Sequence, residues 1–212
     1  MASVNAHLVW PLLVRPTLST IRKKNAEVAN SLTIALGNAE NTDPGFLHDL
    51  LIALYNNNNI KRDNESSSLN MTESLLHAQG RLSNEGFQPF TLNPHVQQLV
   101  ERTFILKKLL ARVPNEVLDR AVFLGTIKEI ASAIKKILDS LDSLIAELPA
   151  EERRLIEHRK RLLVKNAKQF SQALKFYFKG SLDVNDIFNS AAQLIYDVHL
   201  IEKLCHARST SR

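Results

Sequence analysis

Asn115 to Glu147 reads NEVLDRAVFLGTIKEIASAIKKILDSLDSLIAE, and the spacing inside it decides the fold class. Apolar side chains recur every three or four residues at Val117, Leu118, Val122, Phe123, Ile127, Ile130, Ile134, Ile137, Leu138, Leu141 and Ile145. That period belongs to a helix with one face turned to a core, and it predicts a single long helix over 115–147. Pro149 ends it. A stretch of similar length, about 150–178, closes at Gly180, and a third begins near Asp183, with Asp186 in its first turn, and ends near Cys205. Upstream, Leu99, Leu106, Leu109, Leu110 and Val113 form a stripe that stops at Pro114. Four such helices joined by short links predict an antiparallel four-helix bundle over 96–212.

Working outward, two breaks divide the chain. Asn56–Asn59 open a polar tract that runs through Lys61, Arg62, Asp63, Asn64, Glu65 and Ser66–Ser68, and a second irregular stretch surrounds Gly86, Pro89 and Pro94. Their chemistry is that of loops. The chain is therefore expected to hold an N-terminal helical part with its polar loop (1–69), a connecting helix and linker (70–95) and the bundle (96–212). In the first part a helix is expected over 26–39, then a reset at Asp43-Pro44-Gly45, with Asp43 capping and Pro44 at the first position of a helix running to Tyr55. Thr72 is the expected cap of the connecting helix. Leu32, Ala35 and Leu36 on the first helix, with Leu50 and Leu54 on the second, present more apolar surface than two short helices can bury. Two solutions remain at this point: pairing with a second chain, or docking onto the bundle.

Composition agrees with an all-α chain. Of 212 residues only 6 are Gly and 7 Pro, while 44% are hydrophobic and 23% charged, as in folded proteins. The lone Cys205 cannot close an internal disulfide, which predicts a reducing, cytoplasmic setting. The run from Leu8 to Val14 has no basic leader and contains Pro11, so it does not read as a signal peptide. Seven His residues, at 7, 48, 77, 95, 158, 199 and 206, show no spacing that would hold zinc. Neither a phosphate-cradling glycine loop nor a nucleophile elbow appears. The expectation is a chain with no catalytic residues, no metal and no cofactor.

The charge is uneven, and this carries the functional expectation. Residues 1–97 hold 7 Lys/Arg against 8 Asp/Glu, whereas 98–212 hold 20 against 14. Lys128 and Lys135 stand seven apart on one helix, two turns, with the small Ala131 and Ser132 between them. Lys168 and Lys175 repeat the spacing on the next helix, with Ser171 between and Val164 just before. If the two faces adjoin, they make a shallow groove with a floor of small residues and four ammonium groups at its edges. Such a groove accepts an amphipathic helix with Asp or Glu on its flanks. The bland alternative is that these lysines solvate the outside of a bundle. Nucleic acid is not expected: the run Arg153, Arg154, Arg159, Lys160, Arg161, Lys165 is mixed with Glu151, Glu152 and Glu157 and lacks interleaved aromatics. An anionic membrane surface is the alternative partner for the same charges.

The stretch from Phe123 to Asp139, FLGTIKEIASAIKKILD, closely resembles the programmed cell death protein 10 (cerebral cavernous malformation 3 protein) family. Further matches are Thr72 to Leu76, Pro44-Gly45, Val113 to Glu116, Glu157-His158 and Tyr177-Phe178-Lys179, in the same order over about 10–205. Asn56–Ser68 and Glu85–Glu101 do not match, and Tyr55 stands where relatives are aliphatic. The resemblance implies an N-terminal dimerisation domain and a C-terminal bundle similar to a focal-adhesion-targeting domain. It implies pairing through the N-terminal domain, either as a homodimer or with the tails of germinal centre III (Ste20-type) kinases. It further implies a bundle that binds striatin and leucine-aspartate helices such as those of paxillin and the cerebral cavernous malformation 2 adaptor, in the cytoplasm with Golgi and membrane-associated pools. The family's groove lysines fall on Lys128, Lys135, Lys168 and Lys175, and its dimer-face positions on Leu32, Ala35, Leu54 and Tyr55.

Overall fold

The computed structural model of the chain describes residues 3–59, 69–84 and 93–209, and the polar tract at 60–68 and the Gly86–Pro89 stretch lie outside them. Among the described residues every regular element is helical. The chain divides into two compact units, residues 1–78 and 79–212.

The first unit begins with a helical run that the apolar spacing alone leaves unassigned. It comprises α1 (Val4–Val9), a wider π-helical turn (Trp10–Val14) and α2 (Arg15–Lys24). Pro11 and Pro16 fall at the start of the π-helical turn and of α2, and neither can donate an N–H to the turn before it. The wider turn lets the Arg15 N–H reach the Trp10 carbonyl, five residues back, so the chain passes two prolines without breaking. Asn25, extended at φ −151, then separates α2 from α3 (Ala26–Thr42), and its side-chain oxygen accepts from the Val28 N–H. Trp10 packs over Gly37, where a Cβ would stand 3.7 Å from the indole.

The reset before α4 (Phe46–Asn59) differs in detail from expectation. Asp43 ends α3, and Pro44 and Gly45 form the turn, Gly45 at φ 108, where a side chain would be strained. The cap comes from Glu40, whose two carboxylate oxygens accept from the Gly45 and Leu47 N–H groups, both at 2.9 Å. A cap reaching forward from the previous helix leaves no local signature, so the capping role falls to Glu40 rather than Asp43, and the first helical position to Phe46 rather than Pro44. Asn56–Asn59 also belong to α4 rather than to the polar tract. In α5 (Met71–Asn84) the cap is Asn70, which accepts from the Glu73 N–H; Thr72 is buried and instead receives a 2.8 Å hydrogen bond from Asn5.

The second unit contains the bundle: α6 (Pro94–Leu110), the short α7 (Val113–Glu116), α8 (Arg120–Ala146), α9 (Ala150–Phe178) and α10 (Val184–Ser209). The four long helices close a ring, α6 against α8 and α10, and α9 against α8 and α10. Leu99, Leu106, Phe123, Ile130, Ile137, Leu163 and Ile195 are all essentially inaccessible at its centre. A partly buried ion pair between Lys107 and Glu202, which also accepts from Thr103, ties α6 to α10. Gly180, at φ 73, ends α9 in the left-handed region.

The helix expected over 115–147 is interrupted. Asp119 is extended, and its carboxylate accepts from the Ala121 and Val122 N–H groups, starting α8 one turn into the quoted stretch. Leu118 therefore sits in a turn at 88% exposure, and Val122 is also exposed, although both fit the apolar period. The rest of the stripe faces inward or borders the core.

Candidate partner-helix groove and pairing face

The four lysines chosen by spacing come from α8 and α9, which pack side by side. Two contacts set their register: Lys160 pairs with Asp142 near one end, and Phe178 meets Phe123 at 6.0 Å between ring centres near the other. The partner number falls on α9 as it rises on α8, so the helices run antiparallel. Stepping inward from either anchor brings Lys128 to within about two residues of the level of Lys175, and Lys135 to about the level of Lys168. Ala131 falls level with Ser171 by the same steps. The two rungs of lysines are separated by about 10 Å, two turns of helix.

Each of the four side chains is exposed, and among the described residues none is held in an ion pair. That contrasts with their neighbours: Lys160 is held by Asp142, Lys107 by Glu202, and Arg112 by Glu116 and Glu129. Four like charges within two turns repel one another weakly in water and gain most from a ligand that brings carboxylates. Between them Ala131 and Ser171 are small and exposed, the Ser171 hydroxyl being turned back onto the Ala167 carbonyl. Val164 is half-buried and lines a concavity of about 380 Å³ that continues the α8–α9 seam past Lys160. Ser132 lines a concavity on the other side, between α8 and α6, and Lys128 borders that concavity too. Arg102, Ile105 and Lys136, which line that second concavity, carried no expectation, although Arg102, Ile105 and Leu109 stand at helical spacing on α6.

The six pairing residues lie on α3 and α4, which pack together. None of Leu32, Ala35, Leu36, Leu50, Leu54 and Tyr55 is buried: Leu32 is 37% exposed and Leu54 50%. Val28, Ile34 and Phe46 are also exposed, whereas Ala29 is the one residue of α3 in the buried class. So much open Leu, Ile and Phe on two adjacent helices leaves an apolar patch of the kind that binding surfaces carry.

Elsewhere the titratable groups serve packing. Asp197, between α9 and α10, accepts from Asn166 (2.7 Å) and Gln193 (2.9 Å). Burial pushes its carboxyl above the usual aspartate range, and these two donors and Arg159 only partly offset that. No group of three His, Cys, Asp or Glu among the described residues could hold a metal ion, and no helix there is long and apolar enough to cross a membrane.

A helical bundle with a cation-edged seam, joined to a helical unit with an open apolar face, defines a protein of the adaptor class, built to bind other proteins. Residues 2–61 match the family profile "Programmed cell death protein 10, dimerisation domain", and residues 69–157 match "Programmed cell death protein 10, C-terminal". The chain is also 31% identical, over 92% of its length and 90% of the relative's, to a programmed cell death protein 10 homolog of Caenorhabditis elegans. It belongs to the programmed cell death protein 10 family. The dimerisation-domain match spans α3 and α4, whose apolar side chains stay open.

Proposed function

We propose that this chain is a non-catalytic scaffold that couples a Ste20-type kinase to partners carrying acidic leucine-aspartate helices. The open face of α3 and α4 pairs with the tail of a germinal centre III kinase, and with a second copy of the chain when the kinase is absent. The α8–α9 seam takes the leucine-aspartate helix of a paxillin-like protein or of the cerebral cavernous malformation 2 adaptor, and the bundle also engages striatin. A cytoplasmic location with Golgi and membrane-associated pools goes with these partners. The observation that carries the reading is the two level rungs of exposed, unpaired lysines, Lys128 with Lys175 and Lys135 with Lys168, over small side chains.

Calorimetry with an acidic leucine-aspartate peptide tests it. K128E with K168E is expected to weaken binding at least tenfold, about 1.4 kcal/mol or more, with the helical circular dichroism unchanged. Unchanged affinity would remove the seam as the site. Flotation with anionic liposomes separates peptide binding from attraction to a membrane: surface attraction fades steeply as salt rises, whereas a complex with leucine anchors loses less.

A further inference from the structure

On the opposite flank of α8 from α9, the structure holds a concavity of about 450 Å³ against α6. Its apolar part is Ile105, 46% exposed, with Leu109 beside it and the small Ala133 and Ser132 across from them. Its rim is cationic. Arg102 is fixed there, its Nη1 donating at 2.6 Å to both the Lys136 carbonyl and the Ser140 hydroxyl, while Lys128 and Lys136 reach in from α8. The single carboxylate in the lining, Glu129, is already engaged by Arg112 at 2.8 Å. A built guanidinium, two further ammonium groups and a neutralised acid leave a net positive trough around an exposed isoleucine.

We infer that the α6–α8 trough is a second docking groove, which takes the apolar side of an acidic amphipathic helix, and that its occupant competes with one on the α8–α9 seam because both draw on Lys128. The trough is open along two antiparallel helices and spans about two turns, the shape that admits a helix laid between them. Its volume suits two or three aliphatic side chains rather than a whole folded surface. Charge then selects the flanks: Lys128 and Lys136 have no acidic partner among the described residues, so carboxylates on the incoming helix meet them without displacing an existing pair. The second groove stands on its own residues; the competition rests on the α8–α9 seam acting as proposed above. Occupancy of one groove therefore withdraws a cation from the other.

The test is methyl NMR on the full chain, following Ile105 and Leu109 for the α6–α8 trough and Val164 for the α8–α9 seam. The probe is a synthetic helix with Leu at helical spacing and Asp and Glu on its flanks. Saturable shifts at Ile105 are expected, weakened tenfold or more by K136E with Val164 little changed. K168E with K175E is expected to do the reverse, and K128E to weaken both sets. Shifts at Ile105 with none at Val164 keep the trough and overturn the competition. No shift at Ile105, or a shift that K136E leaves intact, overturns the trough. A shift at Ile105 produced by phosphatidylserine vesicles and not by the peptide also overturns it, in favour of a membrane contact.

Discussion

The two units solve the same problem, burying the apolar stripes of amphipathic helices, in opposite ways. In the bundle each long helix has two neighbours, so Phe123, Ile130, Ile137 and Leu163 vanish from the surface. In the N-terminal unit α3 and α4 keep Leu32, Ile34, Phe46 and Leu54 in the open. A closed core leaves its outer face free to carry charge for recognition, while an incomplete core recruits a second chain to finish it. Apolar side chains at helical spacing thus mean a closed core in one half and, on the function proposed above, partner contact in the other. The number of neighbouring helices decides which.

That contrast is sharpest where a side chain is removed. Phe123→Ala opens a cavity in the core near one end of the bundle, where the ring meets Phe178, and is expected to cost about 3–5 kcal/mol by chemical denaturation. A cost as small as that of Leu54→Ala would mean that the bundle is no better packed than the open unit. Glu40→Ala is expected to cost about 1 kcal/mol, by stripping the cap from two N–H groups at the start of α4. No loss of stability would mean that water replaces the carboxylate there. The smallest effect belongs to Asp197. Because burial raises its folded pKa, its contribution to stability is complete below the ordinary aspartate range and is lost as the pH rises through the raised value. D197N removes that slope. Denaturation of both proteins on either side of the window should therefore show the variant gaining relative to the parent as pH rises, and parallel curves would contradict the burial argument.

Much of this was legible in the sequence because period and punctuation are local. The stripes of α6, α8, α9 and α10, with Pro149 and Gly180 between them, suffice for a bundle, and the doubled seven-residue lysine spacing suffices to nominate the seam. What escaped was set by contacts from a distance. Glu40 caps a helix it precedes by six residues, and Trp10–Val14 widens to pass Pro11. Asp119 does carry a recognisable capping residue type, but the apolar period runs straight through it and hides the break. Ser132 turns toward α6 together with Lys128, four residues before it and about 40° away around the axis, whereas Ala131, one residue before Ser132, lies about 100° from it. The α6–α8 trough was hidden because nothing in the sequence sets Ile105 apart from the buried Leu106 beside it; only its exposure does.

The division of labour between an open pairing face and a closed, charge-bearing bundle meets its most direct test in sedimentation velocity of Leu32→Asp with Leu54→Asp, run with a fluorescent leucine-aspartate peptide. The chain should sediment at monomer mass and carry the peptide with its affinity unaltered. A dimer that survives both aspartates, or a monomer that no longer holds the peptide, would contradict that division.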